Sequence, residues 1–504
     1  MILVISLLHI AIFNFRMLSQ LPDGVRAHFP VILTRKYACD QAVIGLLQSR
    51  TLGNSSTALR NNLQEVHCEE WLRKQLCYLT DCERYRKGLQ GLCLQPTTYK
   101  EPLPFPPFPT AKSVDTAATT NHAIECFNSC RWFLAAYVRD VWERLPQLLA
   151  AATSVYGTVL KIDSTKKVCK KFQGTAAGSA SWATNIGNER GELVISVLTE
   201  SEDSKALRRM ACGLMDRYKM ARQDPPRLLY TDRDCCSVSG PSKYKVSKQA
   251  PIGEQISTVY PTLKVLFDGW SDLEVRLDIW HFMRRLARGC TSESHPLYGT
   301  FMSQLSRCIF EWDERDLNLL MEAKKGKLIQ AGLSDPSPSA VRNSLAKEEL
   351  SRHCRRKTRG HQETVKEIEA LLLALSPATD TLGVPLFKEE MKVIWEEQRQ
   401  HVSCLQDPPG VQLYTVTGHI TKGGVKLPVL RCTRGTTSLE SFHLHLARFI
   451  PGSSASAVNY QAYLLDGITR WNSLRAAAAI DFPSQTIRTF DSRLQDRVYT
   501  CNVH

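Results

Sequence analysis

At 504 residues the chain is long enough for about three domains of ordinary size. Its 43% apolar and 23% charged residues exclude a disordered chain, a fibrous repeat and a membrane bundle. The 64 lysines and arginines exceed the 50 acids and leave a formal charge of +14, which points to a polyanionic partner, nucleic acid before a membrane surface. The seventeen cysteines are odd in number and contain no C-x-x-C, so no zinc ribbon or finger is written here; most are expected as small buried core residues in a reducing compartment.

Residues 1–18 open with an apolar run from Met1 to Phe13, broken by Ser6 and His9. The run is shorter than the roughly 20 residues a bilayer requires, so a buried strand or helix, or a start inherited from a truncated gene, is preferred over a membrane signal. Residues 19–100 read as a helical region with Trp71, Leu72 and Leu76 along one stretch. Between 101 and 110, five prolines follow Glu101 within eight residues, which forces an extended linker or arm. Residues 111–152 return to a helical pattern carrying Phe127, Trp132, Phe133, Ala136 and Val138.

The periodicity changes in the segment 153–290. Thr158 to Asp163 alternates as a strand, with Leu160 and Ile162 on one face and Val159, Lys161 and Asp163 on the other. A second short strand is predicted over 180–184, then a glycine-bearing hairpin loop over 185–191, then a third strand over 192–199. Ser204 to Arg222 predicts an amphipathic helix with Leu207, Met210, Leu214, Tyr218 and Ala221 on one stripe. Arg227 to Asp232 follows as a buried strand ending in an acid. A fifth strand over 273–279 runs into a helix from Trp280 to Arg288, and 291–410 is almost wholly helical. In the last part, 411–475, a hairpin turns around Lys422-Gly-Gly424 and a helix begins near Thr437 with Leu439, Phe442, Leu446 and Phe449 at core spacing; 476–504 reads as a tail.

Asp163 and Asp232 each finish a buried strand of one sheet, where a side chain is held rigidly and still reaches solvent. Glu440 begins the late helix. Three carboxylates on such a platform suit two-metal phosphoryl chemistry, in which ions about 4 Å apart activate one oxygen and stabilise another. Each acid also has a plainer account. Asp163 and Asp232-Arg-Asp234 can be turn acids, and Thr437-Ser-Leu-Glu440 is a capping box.

The strand order and three acids resemble the RNase H-like domain of DDE/D transposases with a helical insertion before the last acid. Leu277-Asp-Ile-Trp-His281 is similar to the C/D-x-x-H signature of Mutator-like and hAT-like groups, and Arg434-Gly-Thr-Thr-Ser-Leu-Glu-Ser-Phe-His443 resembles the helix bearing the final acid. From about Leu21 to Asn472 the chain looks like transposon-derived proteins related to the Kyakuja–Dileera–Zisupton and Mutator-like groups. The resemblance implies an α/β fold: an RNase H-like mixed five-stranded sheet flanked by helices, interrupted by an all-α insertion at 291–410, behind a helical N-terminal region. It implies Asp163, Asp232 and Glu440 as ligands of two Mg²⁺ or Mn²⁺ ions, with Asp234 as the substitute second acid. It further implies His281 beside the site to orient scissile DNA, with Asp278 and His443 as supporting residues. The implied partners are transposon ends and target DNA in the nucleus, with homodimerisation an option, no membrane and no small-molecule cofactor. No ordered Cys/His set precedes Asp163, and both ends read as truncated.

Basic residues favour the same partner. Lys166, Lys167, Lys170 and Lys171 follow the first acid, Arg284, Arg285 and Arg288 follow His281, and Arg355, Arg356 and Lys357 lie in a cluster over 352–359 that doubles as an import signal or a solvated helix face. The competing reading from another class is a catalytically silent DNA-binding or chromatin-associated protein that retains the scaffold. A stand-alone nuclease of the same fold is the third.

Overall fold

The computed structural model describes residues 31–33, 38–48, 130–232, 235–236, 263–450 and 452–479. The segments 1–18 and 101–110, the tail from 480 and Asp234 lie outside the described residues. Within them the chain is mixed α/β, with one five-stranded mixed sheet and fourteen α-helices, and it divides into two compact units. Among the described residues no helix is long and apolar enough to cross a membrane.

The first unit takes in residues 1–148 and 448–466. The helical reading of 19–100 meets a short antiparallel hairpin there, Val31–Leu33 against Ala38–Asp40, followed by the helix Gln41–Gln48. Of the helical segment predicted over 111–152, residues 111–129 with Phe127 lie outside the described residues, and the remainder breaks after Cys130–Glu143, because Pro146 has no N–H to carry the ladder across the junction. The turn residue Arg144 is fully buried between Asp140 at 2.7 Å and Asp466 at 3.3 Å, and Tyr137 donates to Asp466 at 3.2 Å.

The second unit holds the sheet. Its strands are β1 (Val159–Thr165), β2 (Trp182–Gly187), β3 (Leu193–Thr199), β4 (Leu228–Thr231) and β5 (Glu274–Leu277), in the spatial order β3-β2-β1-β4-β5. The first three meander antiparallel; β4 and β5 then join parallel to β1. Helix α1 (Ser204–Met220) makes the crossover, its start capped by Asp203 accepting from the Ala206 N–H at 2.7 Å. The predicted alternation in β1 decides the packing. Leu160 and Ile162 meet Leu207, Met210, Leu214 and Tyr218 of α1, while Val159, on the opposite face, packs with Leu228, Tyr230, Leu413 and Tyr414. Ala221 ends as the exposed cap residue rather than part of the stripe.

The second strand sits later than predicted. Asn185 and Ile186 belong to β2, where Ile186 enters the core, and the turn is confined to Asn188 and its neighbours, with Gly191 at φ +80°. Residues 291–410 are mostly helical, as the spacing predicts. They also contain a two-stranded pairing of Phe310–Trp312 with Arg356–Thr358, too short to show a period. The hairpin Tyr414–Lys422/Val425–Cys432 turns at Gly423 and Gly424, both at positive φ. Helix α3 (Thr437–Phe449) buries Leu439, Phe442, Leu446 and Phe449. Ten of the cysteines among the described residues are free thiols, and seven of those ten are buried.

Candidate metal centre

The parallel register fixes the site. Ile162 pairs with Thr231, and Thr231 with Leu277, so Asp163 stands level with Asp232 and Asp278, the residues just past β4 and β5. Strand β1 runs on to Thr165, so Asp163 lies two residues inside its strand and does not finish it as predicted. The Asp278 N–H extends that ladder by donating to the Thr231 carbonyl at 2.7 Å. Asp163 and Asp232 line one small cleft with Ser164, Thr231 and Glu202. Glu202 is a buried acid that sequence reasoning missed; it follows β3 with no pattern to mark it.

Asp163 is only 7% exposed. Burial pushes its carboxyl up to about 7, and the charges of Asp232 and Glu440 add to the rise, against the Ser164 N–H and His281, which lower it. Such a carboxylate gains from any cation that replaces its proton.

Glu440 reaches the same place from α3. One donor atom each from Asp163, Glu440 and His443 lies within 4.8 Å of the others. The Glu440 side chain is half exposed and stands 3.9 Å from His281 Nε2. It makes no hydrogen bond to the N–H groups that open its own helix, so the capping box predicted from Thr437-Ser-Leu-Glu440 does not form; the Leu439 and Glu440 amides donate instead to the Thr436 carbonyl.

His443, placed among the supporting residues by its sequence, lies among the donor atoms themselves. It is 5% exposed, with Nδ1 3.7 Å from Asp163 Oδ2. Asn185, opposite Asp163 in the sheet, donates Nδ2 to His443 Nε2 at 3.1 Å and to the Ala183 carbonyl at 3.1 Å. The ring is therefore neutral with its proton on Nδ1, as its pKa of about 4 requires: burial, then the charge of Lys167, disfavours the imidazolium. Asn185 Oδ1 is buried without a hydrogen-bond partner.

His281 and Asp278 pair as the sequence predicts. Asp278 caps α2 (Ile279–Ala287) and holds His281 Nδ1 at 2.6 Å. Burial opposes protonation of His281, but the Asp278 hydrogen bond and charge, with Asp232 and Asp163 beyond, outweigh it and raise its pKa. Thr436 Oγ1 lies 3.4 Å from Asp278, and Gly435 sits at φ +71° where any Cβ would run into the Asp278 carboxylate. Gly435→Ala is expected to cost about 2 kcal/mol or more in urea denaturation, from left-handed strain plus displacement of Asp278. A loss below about 0.5 kcal/mol would show that the turn relaxes freely. Lys161 is a further residue the sequence reading passed over. It is 4% exposed, its pKa is lowered to about 8 by burial, and its Nζ donates to Ser438 Oγ at 3.2 Å, tying β1 to the start of α3.

The basic residues divide. Lys166, Lys167 and Lys170 are exposed just after β1, with Lys166 over the Trp182 ring at 4.1 Å. Arg288 is exposed at the end of α2, and Arg284 covers Trp280 and pairs with Glu293. Others serve the fold. Lys171 donates to the Ala447 carbonyl, and Arg285 bonds the Asp232 carbonyl and, at 3.3 Å, Gln398. Arg355 forks onto Asp316 at 2.7 and 2.8 Å, Arg356 packs over Phe310, and Lys357 pairs with Glu311. The 352–359 cluster is split: Arg352 is exposed at the end of the helix Lys347–His353, whereas Arg355, Arg356 and Lys357 lie in or beside the short strand Arg356–Thr358 with their charges engaged.

A family described as a domain of unknown function (DUF6729) matches residues 8–142, which precede the sheet and every residue of this centre. No curated protein matches the chain.

Proposed function

We propose that the second unit is an RNase H-like core of the DDE/D transposase kind, interrupted by a helical insertion over 291–410, and that it cleaves and joins DNA phosphodiesters with divalent metal. The observation that carries this reading is the convergence of Asp163 and Asp232, level on adjacent parallel strands, with Glu440 from a helix more than 200 residues later. The donors fit the ions: carboxylate oxygens are the hard ligands that Mg²⁺ and Mn²⁺ select, and a flip of the Asn185 amide would turn its unpartnered Oδ1 to accept from His443 Nε2–H when Nδ1 serves a metal. Asp163, Asp232 and Glu440 would hold two ions, with His443 as a further donor. Two bound ions supply Lewis acidity to the attacking and leaving oxygens of an in-line displacement.

The chain's own groups do the rest. The sheet fixes two carboxylates against rotation. His281, held by Asp278 and favoured as the cation, stands beside Glu440 where it can hold a scissile phosphate. Trp280, half exposed next to it, offers a ring to a base, and the exposed lysines after β1 offer cations to the DNA backbone. Water attacks the phosphorus and breaks the P–O3′ bond, leaving a 5′-phosphate and a 3′-hydroxyl; in joining, that hydroxyl attacks a phosphate of the target strand, forms a new 3′-O–P bond and expels the target's own 3′-hydroxyl. DNA in the nucleus is the substrate this reading requires.

The purified chain should nick supercoiled plasmid, or DNA from the ends of its own locus, with Mg²⁺ or Mn²⁺ and not in EDTA. Asp163→Asn and Glu440→Gln should each lower nicking about 10³-fold, which corresponds to roughly 4 kcal/mol of transition-state stabilisation. Nicking unaltered in both variants overturns the assignment. Tight DNA binding by a wild-type chain that never nicks replaces it with the silent, scaffold-retaining DNA binder.

A further inference from the structure

Three residues beyond Asp232, the structure brings together four side chains that the carboxylate centre does not use. Cys235 and Cys236 meet His401 and Cys404, which come from a turn at the far end of the 291–410 region. One donor atom from each of the four lies within 4.8 Å of all the others. The Cys235 and Cys236 sulfurs are 3.8 Å apart, and His401 Nδ1 is 3.5 Å from the first and 3.3 Å from the second.

These three separations match edges of a tetrahedral site, with the Cys404 sulfur within 4.8 Å of the other three donors. Zinc bonds of about 2.3 Å to sulfur and 2.0–2.1 Å to nitrogen place two sulfurs roughly 3.8 Å apart and a sulfur and nitrogen roughly 3.5 Å apart. Ordinary core packing explains the set poorly, since Cys236 and His401 are only half buried and an imidazole nitrogen aimed at thiols gains only their weak hydrogen bonds. A disulfide between Cys235 and Cys236 would need their sulfurs at about 2 Å. The backbone prepares the second pair: the Cys404 amide donates to the His401 carbonyl at 2.9 Å, closing a turn that sets both side chains on one side.

We propose that Cys235, Cys236, His401 and Cys404 form a structural zinc site of the Cys₃His type. Three thiolates and an imidazole are soft donors that select zinc over magnesium, so the site is chemically separate from the carboxylates. Four protein ligands leave no open position, which makes the metal a clamp and not a catalyst. It fastens the segment that follows Asp232 to the region ending at Leu405, beside the parallel tether in which Arg285 links the Asp232 carbonyl to Gln398. The proposal does not depend on nuclease chemistry.

The test uses the full chain purified from zinc-supplemented cells. Elemental mass spectrometry after desalting should find about one zinc per chain, and Cys404→Ser or His401→Ala should reduce this to near zero, whereas Cys432→Ser, at an exposed thiol outside the cluster, should retain it. Loss of the clamp can unfold the variants, so the wild-type chain is also loaded with Co²⁺ in place of zinc. Thiolate-to-cobalt charge transfer in the near ultraviolet and intense tetrahedral visible bands are expected, and carboxylate sites give neither. Zinc below about a tenth of an equivalent together with only weak octahedral cobalt bands overturns the proposal, as does full zinc occupancy in both Cys404→Ser and Cys235→Ser.

Discussion

Asp163→Asn should yield a chain that is more stable than the wild type at pH 8 in EDTA, and that has lost its response to Mg²⁺. The cause is the proton that Asp163 holds. Its carboxyl is raised from 3.8 to about 7 by burial and by the Asp232 and Glu440 charges. Between those values the folded chain keeps a proton that the unfolded chain has released. Stability from this group is therefore greatest below about pH 4, and falls as the pH rises towards 7 and beyond. Over that range the held proton contributes on the order of 4 kcal/mol at most. Asn carries no charge to desolvate, and its carbonyl oxygen can keep the hydrogen bond that the Ser164 N–H gives Asp163 at 2.8 Å. A cation bound to the wild type does the opposite of the proton: it stabilises the charged form, and its effect grows with the ligand-to-Kd ratio. Denaturation midpoints between pH 5 and 8 with EDTA or millimolar Mg²⁺ check both parts. The wild type should fall with pH in EDTA and recover with Mg²⁺, most strongly at pH 8, while Asp163→Asn should lose the Asp163 part of that slope and show no Mg²⁺ recovery. Equal pH slopes in the two chains would mean that Asp163 is not strained in the absence of metal.

The acids were legible because a strand has two faces. Alternation in 158–163 separates Leu160 and Ile162 from Lys161 and Asp163, and a short apolar strand ending in Asp232 reads the same way. What alternation cannot give is register. That Asp163 stands beside Asp232, and that Asp278 continues the row, depends on strand pairing across gaps of more than 40 residues. The competing accounts of Glu440 could likewise be separated only by where its carboxylate points. The Cys/His cluster was hidden for the same reason. Cys235-Cys236 and His401-x-x-Cys404 are each unremarkable alone, and only the fold joins them across about 165 residues of chain. Arg355 and Arg356 misled in the other direction. A run of cations in sequence looks like a surface for phosphate, yet Asp316, Glu311 and Phe310 come from distant positions to occupy it.

Arg434 carries the other large expectation: Arg434→Ala should destabilise the second unit by about 2–4 kcal/mol, the cost of leaving Asp407, its partner in a partly buried ion pair, alone. Arg434 is 9% exposed and forks onto Asp407 with bonds of 2.7 and 2.6 Å. It also donates to the Tyr414 hydroxyl at 3.1 Å and the Arg356 carbonyl at 2.7 Å, and lies over the Tyr414 and Phe310 rings. Burial alone would lower its pKa, but the Asp407 hydrogen bonds and charge reverse that and raise it. The consequence reaches the centre within six residues of chain. Gly435 and Thr436 follow at once and touch Asp278, and Glu440 opens the helix behind them. Loosening Arg434 therefore frees both the strap on the Asp278–His281 pair and the origin of the third carboxylate. Arg434→Lys keeps the charge but not the planar fork, so it should recover less than half of the lost stability. Urea denaturation followed by tryptophan fluorescence measures both variants. A loss under about 1 kcal/mol for Arg434→Ala would mean that Asp407 finds water or another partner, and that α3 is held by its apolar stripe alone.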